Sequence, residues 1–122
     1  MTLKEIADAL VEGCKTGGEA ENLDKLYAAD AVSVEAVAQG EMGRETAGLE
    51  GIKGKHAWWD SNFTIHSAEV GGPFLHGEDR FAVTFKIDAE EKATGQRMPM
   101  EEVAIYQVAD GKIVREEFFY TM

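Results

Sequence analysis

Pro99 to Thr121 reads PMEEVAIYQVADGKIVREEFFYT. Two β-rich runs, Met100–Val108 and Lys112–Tyr120, flank Ala109-Asp110-Gly111. An Asp-Gly pair between such runs signals a hairpin, because the tight turns that match strand twist need residues tolerant of positive φ. The chain therefore closes on two antiparallel strands. Upstream, Arg80–Ala89 alternates, with Phe81, Val83, Phe85 and Ile87 on one face and Ala82, Thr84, Lys86 and Asp88 on the other. Glu90–Arg97, containing Thr94-Gly95, reads as a turn, and Phe63–Val70 reads as a strand ended by Gly71-Gly72-Pro73.

The first half has a helical period. Thr2 with Glu5 forms a capping-box pattern, and Leu3, Ile6, Ala7, Leu10, Val11 and Cys14 predict an amphipathic helix over 3–15 that Gly17-Gly18 stops. Asn22 is placed to cap a short second helix carrying Leu23, Leu26 and Tyr27. Ala31–Val37 reads as a strand and Gln39–Gly48 as a loop. A third helix is predicted over Leu49–Ser61, with Leu49, Ile52, His56, Trp59 and Phe63 on one face. Gly51 and Gly54 each cost that helix roughly 1 kcal/mol relative to alanine, so tertiary packing must hold it. Helices followed by antiparallel strands define an α+β domain with the helices gathered on one face of a curved sheet. No repeat or linker interrupts residues 1–122, which read as one domain.

Twenty-three acids oppose twelve bases, a net charge of −11 without a Lys/Arg cluster. That balance argues against nucleic acid and against an anionic membrane surface, both of which are bound by cationic patches. Cys14 is the single cysteine, so no internal disulfide forms, and its place on the first helix's apolar stripe suits packing. His56, His66 and His76 lack metal-ligand spacing, and there is no phosphate-cradling glycine loop or nucleophile elbow. The sequence thus implies neither metal nor cofactor. No apolar run approaches the ~20 residues of a membrane span and MTLKEIADAL lacks a signal-peptide h-region, so a cytoplasmic protein is expected.

Three segments in this order, Leu26-Tyr27-Ala28-Ala29-Asp30-Ala31-Val32, Gly51-Ile52-Lys53-Gly54-Lys55-His56-Ala57-Trp58-Trp59 and Asp110-Gly111-Lys112-Ile113-Val114, resemble the SnoaL-like and ketosteroid-isomerase-like branch of the nuclear-transport-factor-2-like superfamily. The resemblance covers nearly the whole chain. It implies a cone-shaped fold in which a strongly bent antiparallel sheet wraps the N-terminal helices and leaves an open-ended pocket, in proteins that are often homodimers. The superfamily includes isomerases, cyclases, dehydratases and non-catalytic binding proteins, so fold alone does not give function.

Residue by residue, the resemblance places the general base of ketosteroid-isomerase-like enzymes at Glu35, five residues after Asp30. A carboxylate at the mouth of an apolar pocket suits proton abstraction beside a carbonyl. Alternation alone does not decide whether Glu35 faces the pocket or water. The family's oxyanion donors, a tyrosine and a carboxylic acid, fall near Leu10 or Val11 and near Val103, all aliphatic. His56, which on an apolar helix face is more often a hydrogen-bonded core residue, or Tyr120 would replace them as the donor to the developing oxyanion. Glu116, Phe118 and Tyr120 share a face of the last strand, while Glu102 has the parity opposite to Val103 and enters the pocket only through a register slip or bulge. Trp59, Phe63 and Phe118 supply apolar wall, with Val103 and Glu116 as further ligand contacts. The expected function is binding of an apolar small molecule by a homodimer, with cofactor-independent proton transfer on an apolar carbonyl compound or, alternatively, binding or dimerisation without catalysis.

Overall fold

The computed structural model describes residues 1–38 and 43–121. Helix α1 spans Leu3–Thr16 and α2 Glu19–Leu26; strand β1 (Tyr27–Val34) and the short β2 (Glu45–Ala47) precede α3 (Leu49–Asn62). Four long strands follow: β3 Phe63–His76, β4 Arg80–Glu91, β5 Arg97–Ala109 and β6 Lys112–Phe119. They form one open six-stranded sheet in the order β2-β1-β6-β5-β4-β3. All pairs are antiparallel except β1–β6, which is parallel and brings the end of the second helix back beside the terminal hairpin.

The hairpin forms as its residues dictate. Asp110 and Gly111 take φ of 51° and 73°, the left-handed pair a two-residue turn needs, and Ala109 pairs with Lys112. A bulge follows, since Gln107 opposes Arg115 while Val108 opposes Ile113. It switches the parity of β6, so Ile113 and then Glu116 both enter the interior. Helix α1 carries the predicted capping box: Thr2 N donates to Glu5 Oε1 (2.9 Å) and Glu5 N donates to Thr2 Oγ1 (3.1 Å). Thr2→Ala removes one half of it and is expected to cost about 1 kcal/mol in urea unfolding. An unchanged midpoint would show that packing alone holds the first turn.

The core joins Ile6, Ala7, Leu10 and Val11 of α1 and Leu23 and Leu26 of α2 to Ile52 of α3. The inner sheet face contributes Phe81, Val83, Ala104, Tyr106 and Ile113, and the Phe81 and Tyr106 rings stack at 4.9 Å. This is the α+β cone-like arrangement, and the alternation of β4 buries Phe81 and Val83 as expected.

Several boundaries differ from the sequence reading. Helix α2 starts at Glu19 after Gly18, not at an Asn22 cap; Asn22 sits inside it and donates to the Ala9 carbonyl at 3.1 Å, tying α2 to α1. The first strand starts at Tyr27 and ends at Val34, because pairing to β6 recruits the residues straight after α2. Gly71-Gly72-Pro73 does not end β3; the strand continues to His76 through a register shift between Gly71 and Phe74. Within the stretch read as a loop, Glu45–Ala47 pairs with β1 as β2, while residues 39–42 lie outside the described residues.

Candidate active site

At the β1–β6–β5 end of the sheet's inner face, polar side chains converge. Ala31, Ser33 and Glu35 follow one another at period two along and just past β1. Glu35 lies one residue beyond the strand, and its backbone is clamped on both sides by Arg44: Glu35 N donates to Arg44 O (2.8 Å) and Arg44 Nε donates to Glu35 O (3.0 Å). The choice that alternation left open thus falls to the inner face.

The Glu35 carboxylate has two partners. Lys55 of α3 sits 2.7 Å from Oε1, and the Tyr120 hydroxyl donates to Oε2 at 2.9 Å. Tyr120 therefore commits its proton to Glu35; burial and that carboxylate push its pKa up to about 12, which keeps it a donor. Lys55 Nζ also donates to Ser33 Oγ at 2.8 Å and stands 5.8 Å from the centre of the Phe118 ring. Beneath them, Glu116 is only 2% exposed and Ser33 1%. Tyr27 Oη donates to Glu116 Oε2 at 3.2 Å. Burial pushes the Glu116 carboxyl up to about 7, opposed by Lys55, by the hydrogen bond from Tyr27 and by the neighbouring Ser33 hydroxyl.

Glu102 completes the group. On β5 it shares the inward parity of buried Ala104 and Tyr106, and it pairs with Phe85 of β4. Burial, reinforced by the negative charge of Glu35 and opposed by Lys55, pushes it up to about 7. The assignment of Glu102 to the outer parity is therefore corrected. Val103, expected to touch ligand, is on the opposite face at 38% exposure, paired with Thr84 and Phe119. Glu116 keeps its predicted face but lies under Lys55 and Ser33, out of a ligand's direct reach.

The remaining expectations divide. His56 is half-buried one residue beyond Lys55, and burial first, then Lys55, hold its pKa below the usual histidine value, which favours the neutral imidazole. Trp59 stacks on Phe63 (4.2 Å, 18° between planes) at the α3–β3 junction, one helical turn past Lys55. Phe118 lies under the Lys55 ammonium. His66 faces outward and hydrogen-bonds Glu90 at 2.9 Å. Cys14 is largely buried and its thiol is pushed up to about 12, mainly by burial, consistent with packing. Lys55 and Ser33 escaped the sequence reading. The signal for Lys55 was available: it is i+3 from Ile52 and i−4 from Trp59, a cation set in the apolar stripe of α3.

Two surface depressions lie nearby. One, about 470 Å³, is on the outer sheet face among Thr84, Lys86, Glu101, Val103 and Phe119. The other, about 540 Å³, adjoins the cluster through Ala36 and Tyr120. Among the described residues no group of histidine, cysteine and acidic side chains is arranged to hold a metal ion, and no helix is long and apolar enough to cross a membrane.

An open, mostly antiparallel sheet with three helices is consistent with the nuclear-transport-factor-2-like class. The chain belongs to the SnoaL-like domain family, whose model matches residues 1–120. It is similar to the crystal structure of a candidate SnoaL-like polyketide cyclase from Mesorhizobium loti, at 42% identity and a TM-score of 0.90, over 98% of this chain and 100% of that one. A candidate polyketide cyclase from Pseudomonas putida shares the fold at 19% identity and a TM-score of 0.74, over 100% and 93%. So does a ketosteroid-isomerase-like protein from Catenulispora acidiphila solved with trimethylamine, at 20% identity and a TM-score of 0.68, over 100% and 88%. A search of curated proteins finds no match.

Proposed function

We propose that this protein binds an apolar carbonyl compound and catalyses cofactor-independent proton transfer on it, with Glu35 as general base. The observation that carries the reading is the Glu35 carboxylate, fixed by Lys55 at 2.7 Å and Tyr120 at 2.9 Å next to Glu102. Glu35 takes the proton from the carbon beside the substrate carbonyl, and negative charge develops on the carbonyl oxygen. Glu102, half-protonated near neutral pH, and the neutral His56 ring are donors for that oxygen, the part for which Val103 has no chemistry. Returning the proton to a different carbon is isomerisation. Attack of the enolate on a second carbonyl of the same molecule is aldol cyclisation, and loss of a β-hydroxyl as water is dehydration. Phe118 with Phe85 supplies apolar wall close to the acids, and Trp59 with Phe63 extends it along α3.

The test is hydrogen–deuterium exchange at the α-carbon of a panel of enolisable ketones in D₂O, followed by NMR. Protein-dependent exchange that disappears in the Glu35→Gln variant supports the reading. Saturable ketone binding without any exchange would move the protein to the binding-module alternative.

That alternative has its own observation on the outer sheet face, where Phe74, Val103 and Phe119 are 56%, 38% and 48% exposed. We infer a homodimer joined through this face, with Lys86 and Glu101 available for polar contacts at the rim. Phe119→Glu is expected to weaken self-association at least tenfold in light scattering. A wild-type chain that stays monomeric at high concentration would sink the dimer.

A further inference from the structure

Glu116 is a buried acid that the proton-transfer scheme does not use, and its surroundings can be followed atom by atom. A lysine ammonium only donates, so Ser33 Oγ accepts from Lys55 at 2.8 Å. The hydroxyl then has its single proton left to give, and its cross-strand neighbour on β6 is the buried Glu116 carboxyl. Tyr27 donates to the same carboxyl at 3.2 Å. Lys55, Ser33 and Glu116 thus follow one another, with Tyr27 anchoring the buried end and Glu35 holding Lys55 from the other side at 2.7 Å. Without an acceptor below it, the Ser33 hydroxyl would be free to turn its proton toward Lys55 and repel the ammonium.

We propose that Glu116 is a positioning residue: by accepting the Ser33 hydroxyl proton in a hydrogen bond it fixes that group's orientation, holds the Lys55 ammonium against Glu35 and so sets the direction in which the Glu35 carboxylate presents its free lone pair. The assignment of a catalytic role to Glu35 rests on the function proposed above, but the chain from Glu116 to Lys55 does not. The charged and titratable groups facing Glu116 are Lys55 from α3, Tyr27 and Glu35 from β1 and its end, Tyr106 from β5 and Cys14 from α1. Only Lys55 among them is cationic. Among the described residues facing Glu116, the one positive charge thus stands between Glu35 and Glu116.

The test uses the whole chain without substrate, so an absence of turnover would not affect it. In ¹⁵N-lysine-labelled protein at neutral pH, the Lys55 ammonium is expected to give a protected ¹⁵N–¹H signal, assigned by its loss in Lys55→Arg. Glu116→Leu, which leaves Ser33 no acceptor there, and, as the reference for a lost Lys55–Ser33 bond, Ser33→Ala are expected to speed exchange of those protons on the order of tenfold, a change that hydrogen-bond loss of this kind produces. Both should move the Glu35 side-chain carboxyl ¹³C resonance at fixed pH. Amide exchange at Tyr106 and Ile113 should remain as in the wild type, which separates positioning from loosening of the core. Should Glu116→Leu fail to fold, Glu116→Met carries the test. Unchanged Lys55 exchange in a folded variant overturns the proposal. So does a Glu35 resonance that shifts equally when Glu116→Leu is made in a Lys55→Met background, since Glu116 would then act only as a distant charge.

Discussion

Glu35→Gln is expected to lower kcat by roughly 10²–10⁴ while leaving KM within a few-fold of wild type. The size follows from the atom removed. Glutamine keeps the volume and an oxygen for the Tyr120 hydroxyl, but no group there can take a proton from carbon. Lys55 stays tethered by Ser33, so the variant is expected to remain folded, which circular dichroism checks. Tyr120→Phe should act more weakly, about tenfold, because it frees the carboxylate without removing it. Glu102→Gln distinguishes donor from base, since an amide still donates a hydrogen bond and costs far less than Glu35→Gln does. Turnover that survives Glu35→Gln at the wild-type rate would remove the base and with it the proton-transfer scheme.

The fold was legible because its strongest signals are local. Asp110-Gly111 and the alternation of Phe81 to Ile87 need no knowledge of the rest of the chain, and both appear as read. What escaped depends on partners far away in sequence. Tyr27 leaves its helix because β6 offers it a parallel neighbour, and Gly71-Gly72-Pro73 stays in a strand because β4 continues to pair on either side of the shift. At the site, counting from Asp30 reached Glu35, whose carboxylate meets Lys55 and Tyr120, whereas counting to Val103 reached the outer face of β5. The even-numbered residues Met98, Met100, Ala104, Tyr106 and Val108 form that strand's more apolar side, and this places Glu102 among them. A charged residue on an apolar stripe was the common clue, for Glu102 on β5 as for Lys55 on α3. Period fixes which residues share a face; which face turns inward is decided by the whole sheet.

Stability is expected to fall as the pH rises from about 4.5 to about 7, the reverse of what a strongly acid-sensitive protein does. Glu102 and Glu116 titrate near 4.5 when free but near 7 in the folded chain. Between those values the folded state binds more protons than the unfolded state, so each step up in pH favours unfolding. Their contribution is fully present below about 4.5 and gone above about 7. For one such carboxyl the loss is at most roughly 3 kcal/mol, and for the pair less than twice that, because both interact with Glu35 and Lys55. In thermal unfolding this corresponds to a drop in Tm on the order of 10 °C between pH 5 and pH 8. His56 acts with the opposite sign just below 6.5, since its depressed pKa lets the unfolded chain protonate first, and Asp88 and Glu5, both held low, oppose it further at more acidic pH. Two raised acids outweigh one histidine. Glu116→Gln should flatten the profile and leave the variant more stable than wild type at pH 8, where an uncharged amide meets Tyr27 and Ser33 without the cost of a buried charge. A profile that is level or rising from pH 5 to 7.5 would contradict the burial argument for both acids. If the variant is the more stable protein, packing does not explain why an acid stands at position 116. The explanation then lies in what the charge does for Ser33 and Lys55, a local sacrifice of stability of the kind functional sites make.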